Sequence, residues 1–139
     1  MPHRTCGIAY TDALSTGATL SVTRKACAAG YYSFGHEIGH NFGCYHNPET
    51  STNPWYEAFV LLKMVQSINT TQRFPHGHGH LIAAGSADTG VRSILAYSTE
   101  GHRMRVNYYS NPGVIYPGTG TPTGLTGVSN NAAVITANR

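Results

Sequence analysis

Charged residues are scarce in this chain. Asp, Glu, Lys and Arg make up 11% of its 139 residues, whereas about a quarter is usual for a soluble domain. The nine basic and six acidic residues are scattered, without the cluster of Lys and Arg that nucleic-acid binding requires. The place of the missing charged residues is taken by Thr, Ser, Asn, Gly and Tyr, as on the surfaces of many secreted proteins. The composition therefore predicts an extracellular protein with no nucleic-acid partner.

Long apolar runs are missing too. No stretch approaches the ~20 residues of a membrane span, and the first ten residues have no apolar segment resembling a signal peptide. A secreted precursor should begin with one, so we expect an internal or trimmed piece of a longer protein. The length, with 40% apolar residues, predicts a single domain over residues 1–139 and excludes a second full domain.

Cysteine is rare, with three residues in the chain. Cys6 and Cys27 flank a strand-like stretch, and a disulfide between them would close a loop of about 22 residues, worth roughly 3 kcal/mol. Cys44 would then remain unpaired. Three free thiols, as in a cytosolic protein, are the alternative.

Local patterns predict a mixed α/β fold with two early strands. Residues 7–10 and 19–23 are short β-branched or aromatic stretches separated by a Gly-containing turn, which predicts paired strands. Residues 31–42 predict a helix, in which Ile38 and Phe42 form an apolar i, i+4 pair. Gly43 is placed to end that helix in a left-handed conformation.

Two further helices are predicted. Residues 54–68 carry an apolar stripe that starts after a good N-cap and a proline, which is typical of a core helix. Residues 129–137 can form a short closing helix. Between these two helices the chain is loop-like and rich in Pro-Gly and Asn-Pro turns.

The most informative segment is a histidine-rich one. On a helix, His36 and His40 are one turn apart on the same face, so both imidazoles can reach one cation at about 2.0–2.1 Å. Glu37 can place its carboxylate beside the metal as a base for water. Gly43 lets the backbone leave the helix, and His46 can return as a third ligand. The segment reads His36-Glu37-Ile38-Gly39-His40-Asn41-Phe42-Gly43-Cys44-Tyr45-His46.

This pattern predicts a catalytic zinc site. Three protein ligands leave a fourth position open, which distinguishes catalytic from structural zinc. The alternative is a helix with surface histidines or a structural zinc site. Against it stand Glu37, the helix-ending Gly43 and the lack of a fourth Cys or His ligand at close spacing.

The spacing HExxHxxGxxH is a metzincin signature, and the chain resembles the metzincin zinc peptidases, in particular the reprolysin-like branch that includes bacterial peptidyl-Asp metallopeptidases. The similarity starts near residues 6–10, passes through the zinc motif and resumes at 92–97, 108–113 and 130–135. It implies that His36, His40 and His46 bind Zn²⁺ and that Glu37 is the general base and acid.

The resemblance also implies an architecture. We expect an α/β zincin catalytic domain with a small twisted sheet, an active-site helix and an irregular C-terminal part. Residues 1–43 would form a partial upper subdomain, and residues 44–139 the lower subdomain. The family fold has further strands and helices before residues 7–10, so we expect the N-terminal part of the domain to be missing here. A propeptide or that missing segment is an expected partner.

Two substitutions depart from the family pattern. Leu95 stands where the family places the methionine of a turn beneath the metal, and exchanges between Leu and Met usually cost less than about 1.5 kcal/mol. Leu95 can therefore still form an apolar floor. Asn47 follows the third histidine, where reprolysins usually carry Asp. Neither change removes a predicted ligand.

Several other residues have two interpretations. Tyr97 lies where related metzincins place a tyrosine that approaches zinc and stabilises the tetrahedral intermediate, and a core tyrosine bonded to the backbone is the alternative. His76, His78 and His80 alternate with glycines, which predicts either an exposed loop or a second metal site. Cys44 lies inside the metal loop as a possible thiolate ligand, although a buried thiol is the expected state.

The segment after Leu95 also predicts a substrate preference. In metzincins the specificity pocket lies between the active-site helix and this segment, which here runs from residue 98 to 116. Arg103 and Arg105 in it favour a carboxylate ligand, and the sequence predicts Asp or Glu just after the cleaved bond. The alternative has both arginines in solvent and an apolar pocket that prefers Leu or Phe.

The sequence as a whole predicts a secreted zinc-dependent endopeptidase that acts on polypeptides, with Glu37 as general base and Tyr97 assisting the oxyanion. The alternative is a zinc-binding pseudo-peptidase or incomplete domain that binds metal or peptide without turnover.

Overall fold

The computed structural model describes residues 5–11, 17, 19–48, 74–82, 90–99, 101–102 and 104–139. The predicted helix at 54–68 and Arg103 lie outside these residues. In the described part, short strands and helices form the predicted mixed α/β fold.

The two predicted early strands form an antiparallel ribbon. Strand β1 (Gly7–Ala9) pairs with β2 (Ser21–Thr23), with Ile8 opposite Val22. Ile8 and Val22 are each 69% exposed, because the other face of the ribbon packs against the metal-motif helix. The predicted Cys6–Cys27 disulfide is present and ties the start of β1 to helix α1 (Lys25–Ala28).

Helix α2 (Ser33–Asn41) confirms the predicted central helix. It ends where Gly43 adopts a φ of 90°, a backbone conformation that glycine reaches without a Cβ clash. The apolar residues of this helix do not form its buried face. Ile38 and Phe42 are only partly buried, whereas the face with the histidines and Glu37 is buried. The polar face turns inward because it packs against the ribbon and the chain around residue 95.

The second half of the described chain consists of very short elements. Strands β3 (Leu81–Ile82), β4 (Val91–Arg92) and β5 (Met104–Arg105) form one sheet in the order β3-β4-β5, with β3 antiparallel and β5 parallel to β4. Strands β6 (Ile115–Tyr116) and β7 (Thr121–Pro122) form a hairpin.

The predicted closing helix is present as α3 (Asn131–Ala137). The side chain of Asn130 caps it by accepting a hydrogen bond from the backbone N–H of Ala133 at 3.1 Å. No helix in the described part of the chain is long and apolar enough to cross a membrane.

Two small apolar clusters support these elements. The first consists of Cys44, Ile94, Leu95 and Val134, and it joins the turn after α2 to α3. The second consists of Ile82, Val91 and Val106, within and beside the β3-β4-β5 sheet. The first cluster lies directly beneath α2, so the metal-motif helix rests on residues from the far end of the chain.

Candidate metal centre

The three motif histidines converge. The Nε2 atom of His36 is 3.1 Å from Nε2 of His46 and 3.2 Å from Nε2 of His40, and the distance between the Nε2 atoms of His40 and His46 is 3.0 Å. Among the His, Cys, Asp and Glu side chains of the described ranges, these three lie close enough together to share a metal ion. Helix α2 supplies two of them, and the turn at Gly43 returns the third.

Backbone carbonyls fix the orientation of two rings. The Nδ1 atom of His36 lies 2.8 Å from the carbonyl oxygen of Ile94, and Nδ1 of His40 lies 2.8 Å from that of Cys44. A carbonyl only accepts hydrogen bonds, so both Nδ1 atoms must carry the proton. Each neutral ring therefore presents an unprotonated Nε2 with its lone pair toward the other rings, which is the form that binds metals.

The three converging Nε2 atoms require a positively charged group between them. Two unprotonated nitrogens cannot share a hydrogen bond, and at most one proton, on His46, can bridge the three Nε2 atoms. Burial lowers the pKa of His36 and of His46 to about 3, and the neighbouring imidazoles lower both further. Burial also lowers the pKa of His40. The residues therefore fit a metal ion that prefers imidazole nitrogen.

Glu37 does not belong to the group of side chains placed to share a metal ion. Its side chain is 5% exposed and packs against β1, where a Cβ on Gly7 would lie 2.5 Å from Oε1 of Glu37. Glycine at position 7 thus makes room for the carboxylate. Burial raises the pKa of Glu37, while the positive charge of Arg105 partly opposes that rise. A carboxylate with a raised pKa is a better proton acceptor than an ordinary one.

Asn47 anchors the chain just after the third histidine. Its Oδ1 accepts a hydrogen bond from the backbone N–H of Tyr97 at 2.8 Å, and the side chain is buried. An aspartate would also offer an oxygen at this position. Replacement of the usual Asp by Asn therefore keeps the acceptor.

Tyr97 lies next to the imidazoles. Its ring centroid is 3.9 Å from that of His46 and 5.9 Å from that of His36. The side chain is 45% exposed, so the interpretation as a core tyrosine is wrong. Whether its hydroxyl takes part in a reaction stays a prediction.

Leu95 lies under the helix at the predicted position. It is fully buried, and a Cβ on Gly39 would lie 2.6 Å from its Cδ2. Gly39, one residue before His40, thus lets α2 approach the Leu95 side chain closely. Leu95 therefore packs against the helix that carries His36 and His40, and its role as the floor of a metal site stays a prediction.

The alternating histidines do not form a second metal site. The Nδ1 atom of His78 lies 2.8 Å from the carbonyl oxygen of His46, and Nδ1 of His80 lies 2.9 Å from Oγ of Ser129. The ring of His76 contacts Phe74. All three are partly buried, so the exposed-loop interpretation is wrong as well. Alternation in the sequence could not indicate these separate partners.

Cys44 does not contribute to the histidine group. Its thiol is fully buried and points toward the carbonyl oxygen of Asn131, 3.7 Å from Sγ. Burial raises the pKa of this thiol to about 12. The expected state, a buried thiol, is the one observed.

Two arginines lie side by side near the site. Arg92 and Arg105 are paired across β4 and β5, and their guanidiniums share the carbonyl oxygen of Ala96, at 2.6 and 3.5 Å. Arg105 also donates to the carbonyl oxygen of Tyr31 at 2.9 Å, and its buried Nε has no hydrogen-bond partner. Burial and the charge of Arg92 lower the pKa of Arg105 to about 10. Sequence reasoning singled out Arg105 and missed Arg92, because their pairing depends on the sheet.

Known metallopeptidases are similar to this chain in sequence. Residues 2–47 match the family model described as metallo-peptidase family M12B, reprolysin-like. Peptidyl-Asp metalloendopeptidases from Stenotrophomonas maltophilia K279a and from Xanthomonas campestris pv. campestris are each 30% identical over 130 residues, which is 94% of this chain. One from Pseudomonas fragi is 32% identical over 94 residues, 68% of this chain and 51% of that protein.

The coverage of these relatives is partial. The chain spans 26% of the Stenotrophomonas protein and 25% of the Xanthomonas protein. A solved chain from a structure of a chaperone-substrate complex matches 98% of this chain and 18% of its own length, with a TM-score of 0.55 and 20% identity. That likeness concerns the fold alone. Together with the histidine motif, the sequence matches show that the chain is related to the reprolysin-like metallopeptidases.

Proposed function

We propose that the chain is the catalytic part of a zinc-dependent endopeptidase. The observation that carries the proposal is the convergence of three imidazole Nε2 atoms, two of them from a helix that also carries a buried carboxylate, Glu37. His36, His40 and His46 would hold the zinc. Three imidazoles and an open fourth position are typical of catalytic zinc. We further propose that residues 1–139 act as one domain, with its upper part at 1–43 and its lower part at 44–139.

The chemistry divides between the metal and the side chains. A zinc ion held by His36, His40 and His46 would supply the positive charge needed to polarise a peptide carbonyl and to lower the pKa of water. Glu37 accepts a proton from the attacking water and delivers it to the nitrogen of the leaving amine. The rise in its pKa on burial suits both steps. Tyr97 donates a hydrogen bond to the carbonyl oxygen as negative charge develops on it, which its position against His46 supports.

The substrate would bind along the ribbon. Within the described residues β1 pairs with β2 alone, so its second edge is open to another strand. An extended peptide antiparallel to residues 8–10 would gain main-chain hydrogen bonds. Contact between Gly7 and Glu37 supports this placement, because it brings a peptide on β1 close to the base.

An acidic residue after the cleaved bond is the substrate preference we infer. Arg105 supports it: the guanidinium is partly buried, with no carboxylate salt bridge in the part of the chain that the structure describes, and its Nε lacks a partner. A substrate carboxylate would pair with the positive charge of this guanidinium by a charge-assisted hydrogen bond. The peptidyl-Asp relatives support the same preference.

Secretion is part of the proposal. The Cys6–Cys27 disulfide supports an oxidising compartment, since disulfides are rare in the cytosol.

Digestion of a peptide library tests the activity. The zinc-loaded chain should cleave peptides, and the chelated chain should not. If the chain binds one zinc per molecule but cleaves nothing from mildly acid to mildly alkaline pH, it is a pseudo-peptidase or an incomplete domain.

The same library tests the preference through Arg105→Gln and Arg103→Gln. Loss of the preference for Asp or Glu in the Arg105→Gln chain supports the inferred pocket. An unchanged preference in both variants contradicts it, and an apolar preference in the parent chain favours the alternative pocket for Leu or Phe.

A further inference from the structure

The third histidine of the motif has a hydrogen bond that its metal role does not explain. The ring of His78 donates from Nδ1 to the carbonyl oxygen of His46, at 2.8 Å. This contact joins the alternating His-Gly segment to the residue that completes the Nε2 group. His78 itself does not lie in that group.

The residues on both sides of His46 are already held by other contacts. Tyr45 donates from its backbone N–H to the carbonyl of Gly77 at 2.6 Å and accepts from the N–H of Gly79 at 2.9 Å. Asn47 accepts from the backbone of Tyr97. The peptide group between His46 and Asn47 follows a helix-ending turn and lies outside any strand. The His78 ring therefore fixes the carbonyl of that peptide group.

The segment that carries His78 is itself tightly placed. A Cβ on Gly79 would lie 2.6 Å from the backbone nitrogen of Ala96, and a Cβ on Gly77 would lie 2.9 Å from Cγ2 of Val134. The carbonyl of His78 accepts a hydrogen bond from Ser110 at 2.6 Å. The two glycines let the segment lie against the chain beneath the site. His78 thus projects from a fixed backbone.

From these contacts we propose that His78 is a positioning residue for the metal site: its Nδ1–H holds the His46 peptide group so that the His46 imidazole meets those of His36 and His40. The inference rests on the proposed zinc site. Without the bond, the backbone torsions at His46 are less restricted, and a change in its φ turns the Cα–Cβ bond and moves Nε2 away from the other two. Groups that orient ligands commonly change metal affinity by about 10- to 100-fold.

Two substitutions of similar shape isolate the hydrogen bond. His78→Asn keeps a donor, because the amide Nδ2 is attached to Cγ as Nδ1 is in histidine. His78→Leu keeps branching at Cγ and removes the donor. His76→Leu is the matched control in the same segment, since its ring contacts Phe74 and not the site. Zinc affinity is measured by competition with a chelator, together with zinc stoichiometry and denaturant unfolding of the metal-free chains.

Zinc should bind the His78→Leu chain about 10-fold more weakly than the parent chain, with the stoichiometry still one. His78→Asn should recover most of the loss, and His76→Leu should bind zinc as the parent does. Parent-like affinity in His78→Leu overturns the proposal, as does an equal loss in His78→Asn or in His76→Leu.

Other outcomes separate this proposal from the zinc site itself. A parent chain that binds no zinc overturns the proposed function, and the positioning role with it. A change in stoichiometry on substitution of His78 overturns positioning alone, because it would make His78 a ligand. If His78→Leu does not fold, the comparison of His78→Asn with the parent decides: a 10-fold or larger loss in a folded His78→Asn chain overturns the proposal.

Discussion

The chain contains two sets of three histidines, and the structure treats them in opposite ways. His36, His40 and His46 bring their Nε2 atoms within 3.2 Å of each other. The second set, at 76, 78 and 80, sends each ring to a different neighbour. The first set is placed to share a metal ion, whereas the rings of the second set do not meet one another.

The difference lies in what sets the direction of each side chain. A helix fixes the angle between residues four apart, so His36 and His40 must share a face. In the second set the backbone is held by contacts distant in sequence, such as Ser110 with the His78 carbonyl. Equal numbers of histidines therefore do not predict equal sites. The local geometry of the chain between them is decisive.

The sharpest test of this comparison removes one histidine from each set. His40→Ala should abolish stoichiometric zinc, because two imidazoles remain and three are needed for a tight site. His80→Ala should keep one zinc per chain, because its ring contacts Ser129 and not the Nε2 group. Zinc content after dialysis measures both. Full zinc in the His40→Ala chain would contradict zinc binding by the first set. Loss of zinc from the His80→Ala chain would contradict the view that His80 is not needed for it.

A carboxylate also distinguishes the sets, since Glu37 follows the first histidine of one set and Gly77 the first of the other. Glu37→Gln should keep zinc and lose about 100-fold or more in peptide hydrolysis, the usual scale for a lost general base. Zinc content and cleavage rate are measured on the same preparation. A fully active Glu37→Gln chain would exclude Glu37 from the mechanism.

Much of the first set was predictable from sequence because its geometry is local. Residue spacing predicted the helix, the turn at Gly43 and the three histidine ligands. The structure confirms the helix and the turn and brings the three histidines together. The inward face of the helix was not predictable. Ile38 and Phe42 form the apolar i, i+4 pair of the helix and are only partly buried, whereas burial of its polar face depends on partners from β1 and from residue 95.

The second half of the chain was less predictable for the same reason. Its strands are two residues long, too short for alternation to be recognised. The contacts of His78 and the pairing of Arg92 with Arg105 depend on segments far apart in sequence. Leu95 was placed by resemblance to a family, and its own neighbours in sequence gave no indication of its depth.

Acid sensitivity of the metal-free chain tests the burial of the first set. His36 and His46 have pKa values lowered to about 3 by burial, whereas a histidine in the unfolded chain titrates near pH 6.5. Below about pH 6.5 the unfolded state binds more protons. The free energy of unfolding should therefore fall as pH decreases from about 6.5 to about 3, by up to about 1.4 kcal/mol per pH unit for each histidine.

Denaturant unfolding at a series of pH values, with a chelator present, measures this slope. His46→Gln removes one titrating group and should give a shallower slope than the parent chain. Equal slopes, or a flat profile in the parent, would contradict the burial of these imidazoles.

The smallest expected effect is the change in the free energy of unfolding caused by Leu95→Met, at the residue between the two histidine sets. A Cβ on Gly39 of the first set's helix would lie 2.6 Å from Cδ2 of Leu95, and a Cβ on Gly79 of the second segment would lie 2.7 Å from the carbonyl carbon of Leu95. Leu95→Met conserves volume and apolar character, so the free energy of unfolding should change by less than about 1.5 kcal/mol, with zinc affinity retained. Leu95→Asp is the contrasting variant, because it buries an unpaired carboxylate at a fully buried position and should destabilise the chain strongly. If Leu95→Asp is tolerated, residue 95 is not the floor of the site, and the two histidine sets are not joined through it.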